Sequence, residues 1–390
     1  MTPEQRRPIA SLWVMQFGSN TGYALSALET LFFEEGLDLA SGDPGKVHFA
    51  YPEFSKGHPS ILPEGFGNLL EFDFRAPTEE ATRRLVEYVR RNAIELVLVF
   101  DIQPVHRIFA PLRRAGVRTI LTYWGAPMSS RAPLWKLLLK RAEVALSRSR
   151  LDGLIFESRA MADLAVYGRG VPWRMIDIVP LGVDIEAYRP SAPGYVQQAL
   201  GLPPDRKVVV YAGHIDPRKG VHTLVEAAIE LIVNRGRRDM TVLLCGNKPG
   251  ESEPYEAMYA GKGVGDRIIF GGYRSDLPRM YPTCLCGVIP SSGWDSFPRT
   301  AVEMAACGIP VVASRLQGLP EAVHDGKTGL LFDTGDAHGL ANRIETLLDQ
   351  PELARALGEA GRRRCEEELN LRVQFERFRA AIRKRMPAGD

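Results

Sequence analysis

The sequence is poor in cysteine and has no excess of charge of either sign. Its five cysteines are an odd number, and they lack the paired spacing of metal ligands. We therefore predict that all five are reduced and structural, which is typical of a cytosolic protein. The 49 basic and 47 acidic residues give a net charge of +2. That balance is too even for the extended basic surface of a nucleic-acid-binding protein.

Long apolar runs are also missing. No segment offers the roughly 18 uninterrupted apolar residues that a membrane-spanning helix needs, and residues 1–8 are polar with no hydrophobic signal region behind them. We expect a protein that is neither secreted nor integral to a membrane. The composition, 45% hydrophobic and 25% charged, is ordinary for a globular protein. A chain of 390 residues exceeds one hydrophobic core, which predicts two domains.

Strands and helices alternate in the first half of the chain. An apolar run at 9–17 leads through a glycine turn at 18–22 into a helical pattern, and a further helix is predicted at 78–91. Other short apolar runs, typical of buried strands, lie at 96–100, 119–123 and 154–156. This alternation predicts a parallel sheet with helices on both faces.

A second series of strands follows a segment rich in proline and glycine. Strands are predicted at 208–211, 241–245, 267–270, 287–290 and 310–313. The predicted fold class is α/β, with two doubly wound Rossmann-like domains. We place the domains at residues 1–189 and 206–365, with a linker at 190–205 and a charged C-terminal helix at 366–390 that packs back on the first domain.

The strongest motif carries two carboxylates around a predicted strand-to-helix turn. Residues 290–311 read Pro-Ser-Ser-Gly-Trp-Asp-Ser-Phe-Pro-Arg-Thr-Ala-Val-Glu-Met-Ala-Ala-Cys-Gly-Ile-Pro-Val, with Asp295 before the helix and Glu303 on it. Free amides at the start of the helix favour an anion such as a diphosphate. The alternative is that Asp295 or Ser296 only caps the helix.

This motif resembles the acidic-x7-acidic signature of the family 4 retaining glycosyltransferases, also called group 1, which have the GT-B fold. The resemblance implies that Asp295 accepts hydrogen bonds from hydroxyls of the donor sugar and that Glu303 holds the nucleotide ribose. The first acid is usually Glu, and Met304 follows the second where Ala is usual. The same segment implies donor contacts at Phe297, Pro298, Arg299 and Thr300.

A second segment, 209–221, resembles the strand, loop and Lys-Gly sequence of the same family. The resemblance implies that Lys219, with Arg218 or His214, stabilises the departing diphosphate in place of a metal ion. His214 stands where Arg is common. The alternative for Lys219 is an ordinary solvated lysine in a loop.

Two further segments are similar to donor-lining parts of the family. Residues 267–281 resemble the segment beside the nucleotide base, which implies contacts there from Tyr273 and Arg274. The loop at 243–247 implies a donor contact at Gly246. For both segments a purely structural role of the glycines is the alternative.

The resemblance to the family rests on fewer residues in the first half of the chain. Gly18, Asn20 and Gly22 occupy the place of a glycine-rich turn near the donor phosphates and the acceptor. Trp124 stands where the family has a histidine close to the 6-position of the donor sugar, so we predict a 6-deoxy sugar, a pentose or another modified donor. The alternatives are that Trp124 points into the core, or that His106 replaces the missing histidine.

Together the resemblance implies two domains that face each other across a cleft, the first for the acceptor and the second for the donor. The expected activity is retaining transfer from a nucleotide-diphosphate sugar to a hydroxyl of a glycan, a lipid-linked or a small-molecule acceptor, with no metal and no cofactor. The alternatives are a nucleotide-sugar-binding protein without transfer activity and a sugar-nucleotide epimerase on the same fold. We expect a cytoplasmic protein with no nucleic-acid partner.

Residues 131–150 combine leucines and Trp135 with six basic residues and one acid, Glu143. An amphipathic helix of this kind can lie on anionic lipid, which predicts a peripheral contact with the inner membrane surface. The alternative is an ordinary amphipathic helix packed on the first domain.

Overall fold

The computed structural model describes residues 7–387, the side chain of Ala24 excepted. The chain divides into two compact units: unit 1 comprises Met1–Val179 and Phe375–Asp390, and unit 2 comprises Pro180–Gln374. The first unit was predicted to end at residue 189, and its first segment ends ten residues earlier, at Val179. Most of the polar N-terminal segment, residues 1–6, and the last three residues of the predicted C-terminal helix lie outside the described residues.

Unit 1 is built on a seven-stranded parallel sheet with the order β3-β2-β1-β4-β5-β6-β7. The strands are β1 (Ala10–Val14), β2 (Val47–Tyr51), β3 (Leu69–Glu71), β4 (Ile94–Phe100), β5 (Thr119–Trp124), β6 (Gly153–Phe156) and β7 (Ile176–Ile178). The helices that cover it are α1 (Tyr23–Leu39), α2 (Glu79–Arg91), α3 (Phe109–Ala115), α4 (Leu134–Leu146) and α5 (Arg159–Leu164). Leu12 and Val14 pack on one face, Trp13 and Met15 on the other, so both faces are buried.

Three strands of this sheet, β2, β3 and β7, were not predicted. β3 and β7 have three residues each, too short for a readable hydrophobic pattern. β2 is fully buried although it contains His48, whose ring lies 2.8 Å from the Tyr88 hydroxyl. Burial lowers the pKa of His48 to about 4, so a residue that looks polar in the sequence is neutral in the core.

The predicted C-terminal helix is two helices. α13 (Pro351–Glu367) ends before Asn370, and α14 (Leu371–Arg383) follows. From Phe375 onward the chain is part of unit 1. There Phe378 stacks on Phe32 of α1 at 5.6 Å, and Arg379 pairs with Glu35 at 3.2 Å.

Unit 2 contains a six-stranded parallel sheet with the order β10-β9-β8-β11-β12-β13. Its strands are β8 (Lys207–Ala212), β9 (Met240–Cys245), β10 (Ile268–Gly272), β11 (Cys286–Ile289), β12 (Val311–Ser314) and β13 (Gly329–Phe332). Its other helices are α6 (Tyr195–Leu200), α7 (Val221–Ile229), α8 (Glu253–Tyr259), α9 (Leu277–Met280), α10 (Arg299–Ala306), α11 (Leu319–Ala322) and α12 (Ala337–Asp349). The predicted linker at 190–205 contains α6, which buries Val196.

The prediction of reduced cysteines is confirmed, because all five are free and buried. Burial raises the pKa of the Cys245 and Cys286 thiols to about 12, so neither is a reactive thiolate near neutral pH. In the part of the chain that the structure describes, no helix is both long and apolar enough to cross a bilayer.

Candidate active site

The candidate site of unit 2 lies where its sheet changes direction. The chain winds from β8 to β9 and β10 on one side and then returns to β11 on the other side of β8. Ligands of doubly wound sheets bind at such a switch point, beyond the carboxyl ends of the strands. The loops that follow β8 and β11, residues 213–220 and 290–298, are therefore neighbours at this edge.

Main-chain hydrogen bonds hold these two loops together. The amides of Ser292 and Gly293 donate to the carbonyl of Arg218 at 2.7 and 3.0 Å. Gly220 has a φ of +69°, and a Cβ atom at this position would lie 1.9 Å from the carbonyl oxygen of Pro290. The close approach of the loops thus requires a glycine beside Lys219.

Lys219 and Asp295 form an ion pair across the two loops. Lys219 Nζ lies 2.6 Å from Asp295 Oδ2, which also accepts a hydrogen bond from Ser291 Oγ at 2.8 Å. The Asp295 amide donates to Gln317 Oε1 at 3.1 Å. Asp295 is only 6% exposed, so the carboxylate is fixed by partners on both sides.

Arg218 and His214 have different surroundings. The Arg218 guanidinium stacks over the Trp294 ring at 4.2 Å and donates to the Trp294 carbonyl at 3.2 Å. It also lies 3.5 Å from Asp216. The side chain of His214 is exposed, and its carbonyl accepts the Tyr211 hydroxyl at 2.7 Å. The structure thus brings Arg218 and Lys219 to the Asp295 loop and leaves the His214 ring in solvent.

Helix α10 starts with its amides uncapped by a side chain. Its N-cap residue is Pro298, and no side chain accepts a hydrogen bond there. The alternative that Asp295 only caps the helix is therefore wrong. Phe297 and Pro298 are buried, Thr300 is partly exposed, and Arg299 donates to the Gly182 carbonyl at 3.4 Å.

Glu303 lies on α10 and is 2% exposed. It is close enough to Tyr281 for its charge to raise the pKa of that hydroxyl, although burial of the tyrosine is the larger cause. The predicted arrangement, with one acid in the turn and one on the helix, is confirmed.

The loops after β9 and β10 join the same edge of the sheet. The Gly246 amide donates to the Gly272 carbonyl at 2.7 Å, and the Gly272 amide donates to Asn247 Oδ1 at 2.8 Å. Gly246 has a φ of +107°, and a Cβ atom there would lie 2.3 Å from the carbonyl oxygen of Gly213. Gly246 thus has a structural role whether or not a ligand binds beside it.

Tyr273 and Arg274 follow β10. Tyr273 is 84% exposed. Arg274 is paired with Asp276 through two hydrogen bonds of 2.8 and 2.6 Å, and these bonds with the carboxylate raise the pKa of the guanidinium. The predicted contacts of this segment with a nucleotide base stay a prediction.

In unit 1 the predicted phosphate loop is organised by Asn20, with Gly18 and Gly22 on either side. Asn20 Nδ2 donates to the main-chain carbonyls of Lys56 and His58, at 3.0 and 2.9 Å. Asn20 Oδ1 accepts a hydrogen bond from the Ser60 amide at 2.8 Å. This side chain therefore anchors the 56–60 loop. A Cβ atom at Gly18 would lie 3.1 Å from Glu53 Oε1.

Trp124 is 6% exposed and belongs to the hydrophobic core of unit 1. The alternative that it points into the core is the one the structure supports, so its ring face offers no surface to a sugar and the predicted preference for a modified donor loses its basis. His106 precedes α3, and its Nδ1 accepts the Ile108 amide at 3.4 Å. Burial lowers the pKa of His106.

Two residues beside Asp295 were missed in the sequence. Ser291 lies inside the motif, and its hydroxyl donates a hydrogen bond to the Asp295 carboxylate. Gln317 follows β12 with a φ of +44°. A signal was available for Gln317, because the loop after a predicted strand at 310–313 must lie at the same edge as the other loops.

The family of group 1 glycosyl transferases matches residues 196–364. Curated relatives named D-inositol 3-phosphate glycosyltransferase are similar. The protein of Corynebacterium efficiens is 37% identical over 207 residues, 51% of this chain and 48% of the relative. That of Acidothermus cellulolyticus is 37% identical over 221 residues, 54% and 48% of the two chains.

The second half of this chain is thus similar to the group 1 glycosyl transferases and to relatives named as glycosyltransferases. It spans about half the length of the curated relatives that it matches. Among solved structures, HepE of Anabaena in complex with UDP has a TM-score of 0.75 at 18% identity and covers 96% of this chain and 100% of its own. A glycosyltransferase of Rickettsia africae has a TM-score of 0.79 at 14% identity, with 97% and 99% covered. The predicted resemblance to group 1 and the predicted GT-B fold are confirmed.

Proposed function

We propose that this group 1 protein is a retaining glycosyltransferase that moves a sugar from a nucleoside diphosphate sugar to a hydroxyl acceptor. The observation that carries the proposal is the Lys219–Asp295 pair at the switch point of unit 2, beside the uncapped start of α10. The amides of α10 favour a diphosphate, and the Asp295 carboxylate accepts hydrogen bonds from sugar hydroxyls.

In this proposal, the bond from the anomeric carbon to the diphosphate breaks while the acceptor hydroxyl attacks on the same face of the sugar and passes its proton to the departing diphosphate. The departing diphosphate gains negative charge, and the ammonium of Lys219 with the amides of α10 stabilises it. In many enzymes such preorganised groups contribute more to the rate than any other effect, and they need no metal ion. Glu303 holds the ribose of the donor.

The nucleotide is tested first and transfer second. We would measure the thermal shift of the full chain with a panel of nucleoside diphosphates, starting with UDP because the similar Anabaena protein was solved with UDP and with UDP-glucose. Donor consumption is then followed with and without candidate acceptors, in EDTA and in Mg²⁺. NMR of the anomeric proton in the product gives its configuration.

We expect slow donor hydrolysis without acceptor, faster transfer with it, the same anomeric configuration in donor and product, and equal rates in EDTA. If donors bind but none is consumed, the result would favour a nucleotide-sugar-binding protein without transfer activity. An inverted product would contradict retention, and activity only with Mg²⁺ would contradict metal independence.

We also propose that helix α4 contacts an anionic membrane surface. Leu134, Trp135, Leu138 and Leu139 form a stripe of i, i+4 pairs that is 55–70% exposed. Leu137 and Val144, seven residues apart, are the buried face of the same helix. The apolar stripe therefore faces away from the core of unit 1.

The charges around the stripe suit an anionic surface. Lys136 and Arg141 are exposed, and Lys136 Nζ lies 5.2 Å from the centre of the Trp135 ring. The single acid, Glu143, is neutralised by Arg169 at 2.7 Å, and this bond lowers the pKa of the carboxyl. Basic groups beside Trp and Leu are typical of interfacial helices.

Liposome sedimentation at low salt tests this contact. We expect the chain to bind anionic vesicles and not neutral ones, and the double variant Leu138→Ser/Leu139→Ser to lose most of that binding. Val233→Ser is the control, because Val233 is also exposed, at 42%, but lies in unit 2. Equal sedimentation with both vesicle types would contradict the proposal.

A further inference from the structure

Unit 2 contains a cavity of about 560 Å³ at a distance from the candidate active site. Its wall includes the residues that lead into three strands, 206–208 at β8, 282–285 before β11 and 308–310 before β12. These strands are parallel, so the cavity lies at the amino-terminal edge of the sheet, and we call it the amino-edge cavity. The loops that carry Lys219 and Asp295 follow β8 and β11 at the opposite edge.

The length of a strand separates the two edges. β8 has six residues, and a strand rises about 3.3 Å per residue, so the cavity and the loop after β8 are on the order of 15–20 Å apart. The switch-point rule places ligands beyond the carboxyl ends of the strands and does not predict a site here. None of the site residues predicted from the sequence lies in the wall, so the proposed transfer does not account for this cavity.

The wall of the amino-edge cavity contains three basic residues and no acidic one. Arg355, on α13, is paired with Glu352 at 2.7 Å and with Glu359 at 3.0 Å, so its charge is balanced within the helix. Arg206 and Lys207 make no ion pair within residues 7–387. Two adjacent cations therefore give the cavity its positive charge.

The Arg206 side chain is held in place and still has donors to offer. It is partly buried, its Nη1 donates to Thr241 Oγ1 at 3.3 Å, and its carbonyl accepts a hydrogen bond from Gln197 Nε2 at 2.8 Å. Its Nε and Nη2 have no hydrogen bond within the part of the chain that the structure describes. A guanidinium presents such N–H groups as a planar fork, which matches two oxygens of a phosphate.

One acid outside the wall lies near Arg206. The charge of Arg206 contributes to lowering the pKa of Asp239, but the hydrogen bonds from Arg237 to that carboxyl are the larger cause. Arg237 and Asp239 are 3.2 Å apart. The Asp239 carboxylate is therefore already paired with another guanidinium, and Arg206 remains available to an anionic ligand.

The rest of the wall is largely apolar. Val208, Ile309 and Ala354 are buried and Leu285 is partly exposed, and four prolines complete this surface, at positions 193, 204, 282 and 310. Cavities of a few hundred Å³ with mostly apolar walls and a few polar groups are typical sites for small molecules. A water molecule takes about 30 Å³ in the liquid, so a bare phosphate ion would leave most of this volume unfilled.

We propose that the amino-edge cavity binds a phosphomonoester, with its phosphate at Arg206 and Lys207 and its organic part against Val208 and Ile309. A phosphomonoester carries about −1.5 to −2 charges at neutral pH, which matches the two unpaired cations. Sugar phosphates and nucleoside monophosphates share this chemistry. The site is a second ligand site of unit 2, and its occupation does not rest on the proposed transfer.

The direct test is an NMR titration of the full chain labelled with ¹³C at the isoleucine methyl groups. Ile309 is 4% exposed and lines the cavity, and Ile309→Val assigns its resonance. The probes are glucose 6-phosphate and AMP, with glucose and inorganic phosphate as their counterparts. We expect at least one of the two esters to shift the Ile309 methyl resonance, inorganic phosphate to bind more weakly, and glucose not to bind.

Three results of the titration would contradict the proposal. An unshifted Ile309 resonance up to the solubility limit of both esters would overturn the site. Equal affinity for glucose would overturn the role of the phosphate, and equal affinity for inorganic phosphate would overturn the role of the apolar wall. None of these readings depends on donor turnover, so failure of this site and failure of the proposed transfer remain distinguishable.

The second test removes the cations one at a time. Lys207 is exposed and has no ion pair among the described residues, so Lys207→Met should leave the melting temperature unchanged. The affinity for the ester should fall about tenfold or more, as expected when a hydrogen bond to a charged group is lost. Arg206→Met should have the same effect on the affinity. Unchanged affinity in Lys207→Met would overturn the assigned position of the phosphate.

The control is Lys262→Met, because Lys262 is also exposed and precedes β10 of the same sheet but does not line the cavity. It should leave the ester affinity as in the wild type, and an equal loss there would reduce the effect of Lys207 to general surface charge. Lys219→Met should also retain the ester affinity, since Lys219 lies at the opposite edge. A loss in Lys219→Met with none in Lys207→Met would place the ester in the candidate active site and refute the proposal.

Discussion

Replacement of Lys219 by methionine tests the centre of the proposed site. The ammonium and the Asp295 carboxylate are 2.6 Å apart, and their side chains are 21% and 9% exposed. Loss of one preorganised group that stabilises the departing charge typically costs about 2.7–4 kcal/mol, so kcat should fall about 10²- to 10³-fold. The assay is donor consumption under saturating donor.

The same change affects stability, because it leaves the Asp295 carboxylate half-paired. A hydrogen bond between charged groups contributes about 1.5–3 kcal/mol, and partial exposure favours the lower part of that range. A loss of about 2 kcal/mol corresponds to a melting temperature about 4–8 °C lower for a unit of this size. Lys248→Met is the control, since Lys248 is 78% exposed in the same unit and should change neither quantity.

A double-mutant cycle shows how Lys219 acts. Asp295→Asn removes the ion pair and keeps the shape of the side chain. If Lys219 stabilises the diphosphate, Lys219→Met should still lower kcat at least tenfold in the Asp295→Asn background. No further loss in that background would mean that Lys219 only positions Asp295. Turnover of Lys219→Met within threefold of the wild type would refute the reasoning altogether.

Three other changes have definite expected outcomes. Glu303→Gln should weaken the binding of the nucleoside diphosphate about 10- to 100-fold in a calorimetric titration, since a charged acceptor is lost; equal affinity would contradict the ribose contact. Gly220→Ala should destabilise the protein more than Gly236→Ala in thermal melts, because both have a φ of +69° but only Gly220 faces a carbonyl oxygen at 1.9 Å; equal melting temperatures would contradict the close approach. Burial raises the pKa of Glu35 to about 7, above the unfolded value near 4.3, so its contribution to stability is present below pH 4.5 and is lost as pH rises to 7. Glu35→Gln should therefore flatten the dependence of the melting temperature on pH by the equivalent of about 4 kcal/mol, and an unchanged slope would count against a protonated Glu35.

The sequence alone was enough to predict the fold class and the positions of Asp295 and Glu303 in the site. Runs of buried apolar residues separated by turns identify nine of the strands, because a strand covered on both faces must be apolar throughout. The motif at 290–311 placed Asp295 in the turn and Glu303 on the helix, since spacing along a strand, a loop and a helix is fixed by local geometry. Short edge strands such as β3 carried no such signal.

Only the tertiary structure decided which side chains meet. The pairing of Lys219 with Asp295, 76 positions away in sequence, depends on the neighbouring positions of β8 and β11 in the sheet. Burial then decided the state of each group: it took Trp124 out of the predicted sugar contact and left the amide of Gln16 unpaired at a strand end. Spacing is a property of the chain, whereas register and burial arise only when distant strands pack together.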